Sequence, residues 1–222
     1  MKKIIAVCLV LLSLVLVLAG CRDSESKPSS ESSAPVSSTP QRDTKEAAQK
    51  IFTKALKSEE AIYFDTSETP VLLKDSAYMK DDSLELSIRS FAVVDFDGDG
   101  IPELVLIRKP DDNRLVLQYR NEKVYATMRT LRGMNELKND GSFYASDSAA
   151  HTEIQRLYFE LGEFGTAVLA SAIDGKYNVD YKEATQSEYE VCDKEQEEKP
   201  DVKWYEYLED TVETPDFIGR FK

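Results

Sequence analysis

Residues 91–107, FAVVDFDGDGIPELVLI, constrain this chain more than any other stretch. An apolar run (Phe91, Ala92, Val93, Val94) enters it, and another (Leu104, Val105, Leu106, Ile107) leaves it. Between them stand Asp95, Asp97, Asp99 and Glu103, with Gly98 and Gly100 interspersed. Short apolar runs separated by a polar, glycine-rich segment read as strand, loop, strand.

The segments around this hairpin define the fold class. Asp43-Thr44-Lys45-Glu46 has capping-box character, and Ala47, Ala48, Ile51, Phe52, Ala55 and Leu56 recur at helical spacing, so a helix is predicted over 44–58. Val71-Leu72-Leu73 is a short strand candidate. Leu84, Leu86 and Ile88 alternate with polar residues as a half-buried strand leading into Phe91. Beyond the loop, strands are expected over 104–108, 115–120, 124–131, 154–161, 166–173 and 177–181, with Phe143 and Tyr144 following the turn Asn139-Asp140-Gly141. KPDDN at 109–113, Asn121-Glu122-Lys123 and Asp174-Gly175-Lys176 supply further turns. Thr185-Gln186-Ser187-Glu188 opens a second capped helix that Pro200 ends, and Asp201 is positioned to cap another carrying Trp204, Tyr205, Tyr207 and Leu208. Thr214-Pro215 matches an N-cap followed by proline in the first turn. Trp204, Phe217, Ile218 and Phe221 are expected to fill grooves against the sheet. The expectation is an α+β domain over 43–222: an antiparallel β-meander of roughly six to eight strands with an N-terminal helix and C-terminal helices.

The loop at 95–103 has the chemistry of a cation site. Counted from Asp95, carboxylates occupy positions one, three and five (Asp95, Asp97, Asp99), and Gly100 sits where the chain must turn. Ile101 at position seven offers only its backbone carbonyl, and Glu103 stands at position nine. Hard oxygen donors at these offsets suit Ca²⁺, and carboxylates this close repel one another without a cation. An EF-hand carries a bidentate Glu at position twelve. Here that position is Leu106, and the flanks are strand-like. Mg²⁺ fits less well because it keeps several waters in an octahedral shell.

The pattern DFDGDGIPEL resembles the calcium loops of FG-GAP and VCBS-type repeats. Asp95, Asp97, Asp99 and Gly100 match their DxDxDGxxD motif, with Glu103 where that motif has Asp. The resemblance implies Ca²⁺ between two strands. The motif occurs once and no propeller-like period is present, so neither a full propeller nor an integrin-like adhesive function is implied.

The N-terminus carries an address. Lys2 and Lys3 precede an apolar run over 4–18, closed by Leu18-Ala19-Gly20-Cys21. Read by itself, this is a secretory signal or an apolar helix, short for a membrane span of about 20 residues. The small residues before Cys21 resemble the lipobox of bacterial lipoproteins. That resemblance implies a signal peptide over 1–20, cleavage before Cys21 and a diacylglycerol on its thiol. Two acyl chains give stable anchoring. Residues 21–42, including RDSESKPSSESSAPVSST, are Ser-rich, carry Pro28 and Pro35, and read as a disordered tether. A lipobox, a tether and a single-copy loop together resemble surface lipoproteins of Gram-positive bacteria.

Charge and cysteine usage agree with export. The formal charge of -13 falls by two, to -15, if Lys2 and Lys3 leave with the leader. Such a chain repels nucleic acid, although solubility alone also accounts for the balance. Of three cysteines, Cys8 lies in the leader and Cys21 is the expected lipid site, leaving Cys192 without an intramolecular disulfide partner. His151 is the one histidine, and HExxH, GxSxG, Walker and CxxC motifs are missing. The expectation is therefore a non-enzymatic binding or scaffolding module for a protein or glycan, lipid-anchored on the extracytoplasmic face of a bacterial membrane. The alternative is a hydrolase, or a hydrolase accessory, acting on cell-wall or extracellular polymer.

Overall fold

Helix α1 (Lys45–Leu56) begins where a side chain can satisfy its free amides. The Thr44 hydroxyl accepts the Ala47 N–H at 3.1 Å, so the cap is Thr44. The helix stops at Leu56 because Ser58 adopts φ 56°, a left-handed conformation that cannot continue it. These details come from a computed structural model, which describes residues 44–65, 69–80, 86–212, 217 and 219–221. The leader and lipobox (1–20), the tether with Cys21 (21–42), Asp43, Leu84, the Thr214-Pro215 pair and Ile218 lie outside the described residues. The described elements belong to one compact unit, Pro40–Lys222.

Strands β1 (Ala61–Phe64), β2 (Val71–Leu72), β3 (Ser87–Val94), β4 (Glu103–Lys109), β5 (Arg114–Arg120) and β6 (Lys123–Arg129) form most of a first sheet. Strands β7 (Ser142–Ser148), β8 (His151–Glu160), β9 (Glu163–Ile173), β10 (Lys176–Val179) and β11 (Lys182–Ala184) form a second. Helix α2 (Gln186–Glu198) follows, and β12 (Tyr205–Glu206) returns to the first sheet. The strand orders are β12-β3-β4-β5-β6-β1-β2 and β11-β10-β9-β8-β7. Within each sheet the central strands follow one another as an antiparallel meander, while β1 pairs with β6 in parallel. Neither sheet closes into a barrel or propeller.

Four hairpins turn on two residues with positive φ: Asn121-Glu122, Leu161-Gly162, Asp174-Gly175 and Asp180-Tyr181. This is the primed-turn geometry whose twist matches that of the flanking strands. The Thr185 hydroxyl accepts the Glu188 N–H at 3.3 Å while the Glu188 carboxylate accepts the Thr185 N–H at 2.7 Å, the full capping box that starts α2.

The layers run helix, sheet, sheet, helix. Phe52, Ala48 and Ala55 of α1 pack on Leu104, Leu106, Leu115, Leu117, Val124 and Ala126. The opposite face of that sheet, with Ala92, Val94, Val105 and Val116, packs on Phe143, Ala145 and Leu157 of the second. Ile154 and Ala170 on the far side of the second sheet meet Tyr189 of α2. Burial on both faces explains the apolar runs at 104–107 in β4 and 115–117 in β5.

The helix expected after Asp201 does not form. Tyr205 and Glu206 add to the edge of β3 instead, and the Tyr207 N–H donates to the Arg89 carbonyl at 3.0 Å. Pairing the open edge of β3 outweighs a short helix. Asp201 accepts from Lys138 Nζ at 2.7 Å in place of capping. The aromatic residues still reach the core: Phe91 meets Tyr205 and Phe217, and Phe217 meets Phe221. Trp204 is half-buried against the inter-sheet core.

Candidate metal centre

Strands β3 and β4 pair through Val94↔Glu103, so residues 95–102 close their hairpin. The loop's own amides organise its carboxylates. Asp95 accepts the Gly98 N–H at 2.7 Å on Oδ1 and the Gly100 N–H at 2.9 Å on Oδ2. Asp97 Oδ1 accepts from Asp99 N–H at 3.2 Å, and Asp99 Oδ1 from Ile101 N–H at 2.7 Å. Gly98 and Gly100 hold φ of +74° and +84°, in the region that favours glycine, and a Cβ at either would meet nothing within 4 Å. Their requirement is conformational, not spatial.

One ligand atom from each of Asp95, Asp97 and Asp99 lies within 4.8 Å of the others, so this group could hold a metal ion. Oxygens bound to one cation at about 2.4 Å can be no more than about 4.8 Å apart, so the spacing fits. The donors are all carboxylate oxygens, a set suited to hard cations. Burial, with help from the charges of Asp97 and Asp95, raises the Asp99 pKa against the pull of the Ile101 N–H and Arg120.

The other two residues assigned from the sequence follow this trio in the chain. Ile101 buries its side chain in the α1-side core. Glu103 is only 1% exposed and lies outside the clustered trio. Its Oε2 accepts the Phe96 N–H at 2.7 Å, tying the loop's entry to the first residue of β4. Burial first, then the charges of Asp97, Asp95 and Asp99, push Glu103 up to about 9 despite that hydrogen bond. One of its oxygens is committed to the backbone.

The sequence reading missed two neighbours on β5. Arg120 Nη2 lies 2.8 Å from Asp99 Oδ2 and 3.3 Å from Asp97 Oδ2. Gln118 Nε2 reaches Asp97 Oδ2 at 3.4 Å. The register Leu104↔Leu117 sets Gln118 opposite Glu103, and Arg120 lies two residues on, on the same face. Sequence separation hid this, and no local spacing advertises it. The Asn139-Asp140-Gly141 turn is a third neighbour. A Cβ on Gly141 (φ +80°) would stand 2.9 Å from Phe96 Cα, so the second sheet approaches the loop at a glycine.

His151, the one histidine, is held between two acids. Its Nδ1 is 2.6 Å from Asp147 Oδ1 and its Nε2 is 3.0 Å from Glu153 Oε1. Glu153 and then Asp147 raise its pKa against the opposing effect of burial. Away from the loop, a cleft of about 500 Å³ lies between α2 and the 131–136 segment, lined in part by Glu136, Asp193, Glu197 and Tyr144. The Tyr144 hydroxyl donates to Asp193 Oδ1 at 2.9 Å. Among the described residues, no helix is long and apolar enough to cross a membrane.

No protein-family model, curated protein or solved structure matches this chain. The functional reading therefore rests on its own residues.

Glu103→Gln keeps an acceptor for the Phe96 N–H, so denaturant unfolding should shift by less than about 1 kcal/mol. Glu103→Ala leaves that amide unsatisfied beside a cavity and should cost roughly 2–4 kcal/mol. For His151, NMR titration should give a pKa above the ordinary 6.5. A raised folded-state pKa contributes stability that is complete below about 6.5 and is lost as pH rises through the folded value. Replacing both Asp147 and Glu153 by their amides should remove the shift.

Proposed function

We propose that this chain is a lipid-anchored extracytoplasmic protein of a bacterial membrane. In this reading, a folded domain, stabilised by one Ca²⁺, serves as a binding or scaffolding module for a protein or glycan. The observation that carries the Ca²⁺ assignment is the convergence of Asp95, Asp97 and Asp99 within 4.8 Å on a loop whose glycines and amides hold it in shape. Asp95, Asp97 and Asp99 would hold the ion, joined by the Ile101 carbonyl, while Glu103 braces the loop from below. The ion would supply charge neutralisation and a staple between β3 and β4. The anchor is supported by Leu18-Ala19-Gly20-Cys21 and by the Ser-rich tether behind it.

A second reading, a hydrolase or accessory protein acting on cell-wall or extracellular polymer, draws on the cleft beside α2. There Glu136, Asp193 and Glu197 share one wall system with Tyr144. It would replace the binding reading if purified cell-wall polymer acquired new chain ends in the protein's presence.

Extracellular modules bind Ca²⁺ with dissociation constants of about 10⁻⁴ to 10⁻³ M. At ten times the dissociation constant the ion adds about 1.4 kcal/mol, or roughly 3–6 °C of melting temperature for a domain of this size. EGTA should remove that increment and Asp97→Ala should abolish it; a melting curve indifferent to EGTA refutes the Ca²⁺ assignment. For the anchor, palmitate labelling in a bacterial host should be present in the native chain and lost in Cys21→Ala. Label that survives the substitution eliminates Cys21 as the lipid site.

A further inference from the structure

We propose that Arg120 is a built-in counter-cation that competes with the metal ion for the Asp95–Asp97–Asp99 loop and so weakens its affinity. This deepens the metal-binding reading above and rests on it. The argument begins with which oxygens are taken. On Asp97 and Asp99 the Oδ1 atoms accept loop amides, from Asp99 and Ile101. Their Oδ2 atoms carry no loop amide, and the Arg120 guanidinium contacts both of them, at 3.3 and 2.8 Å. These are the oxygens best able to turn towards a cation, so ion and guanidinium compete for the same lone pairs.

The position of Arg120 gives the competition its form. It is the last residue of β5, next to the Asn121-Glu122 turn, and its side chain is 31% exposed. It reaches the loop from a neighbouring strand, so it can leave without disturbing the hairpin that holds the carboxylates. Gln118, two residues earlier and 2% exposed, stays against Asp97. A guanidinium remains charged at any accessible pH, so the competitor keeps its charge under the conditions in which the cation binds. In its absence the fixed positive charge is gone while all three carboxylates remain. Coulomb's law for a unit charge and a divalent ion about 5 Å apart in water-like surroundings corresponds to a roughly tenfold or larger change in affinity.

The test is isothermal titration of CaCl₂ into the purified full-length chain in detergent, comparing the native protein with Arg120→Gln and Arg120→Lys. Arg120→Gln should bind about tenfold more tightly, and Arg120→Lys, which keeps the charge, should stay within about threefold of native. Binding seen only in Arg120→Gln also supports the competition. If the native chain binds Ca²⁺ and Arg120→Gln binds equally or more weakly, the competition is overturned while the metal site stands. If neither the native chain nor Arg120→Gln binds, both readings fall.

Discussion

The structure depends on the burial of β4 and β5 on both faces. Leu104, Leu106, Leu115 and Leu117 point to α1, while Val105 and Val116 point to Phe143 and Leu157 of the second sheet. Each such side chain contributes about 1.5–3 kcal/mol on leaving water. Because side chains alternate with a period of two, a slip of one residue would exchange the two sets and misfit both cores. The pairing Val94↔Glu103 is therefore held from both sides, and with it the two ends of the acidic loop. A loop whose ends cannot move can afford unfavourable charge at its tip.

That charge is offset in three ways. Loop amides donate to all three aspartates, supplying fixed partial positive charge where the carboxylates converge. Arg120 contributes a full positive charge from the adjacent strand. Glu103, nearest the core, has its pKa pushed up to about 9, since burial in the field of three carboxylates makes its anion expensive. The consequence is a division of labour that motif spacing does not reveal. Asp97 and Asp99 are exposed and Asp95 is half-buried, whereas Glu103 acts on the backbone of Phe96.

The elements legible in the chain were those defined by neighbours in sequence. α1 follows from its apolar periodicity and α2 from the Thr185–Glu188 box. The hairpins at Asn121 and Asp174-Gly175 follow from residues that tolerate positive φ. What escaped was defined by partners far along the chain or by turns that carry no local signal. β1 is four residues long and gains its identity from parallel pairing with β6. β11 follows a turn at Asp180-Tyr181 with no glycine to announce it. At β12, local capping favoured a helix, but the open edge of β3 offered hydrogen bonds that a short helix could not match. The single meander read from the chain is divided into two sheets because strand signals say which segments are extended and not which face which.

By itself the sequence determined the acidic loop, its place between two strands, the glycines that shape it and the α+β character of the domain. These rest on local rules: side-chain periodicity, φ preference and the offsets of oxygen donors. Only the tertiary structure decided that Arg120 and Gln118 face the loop, that Gly141 abuts Phe96 and that Glu103 turns inward. Each of these depends on strand register or on sheet-against-sheet packing. The energies that set them come from burial across the whole core, which no short window of residues contains.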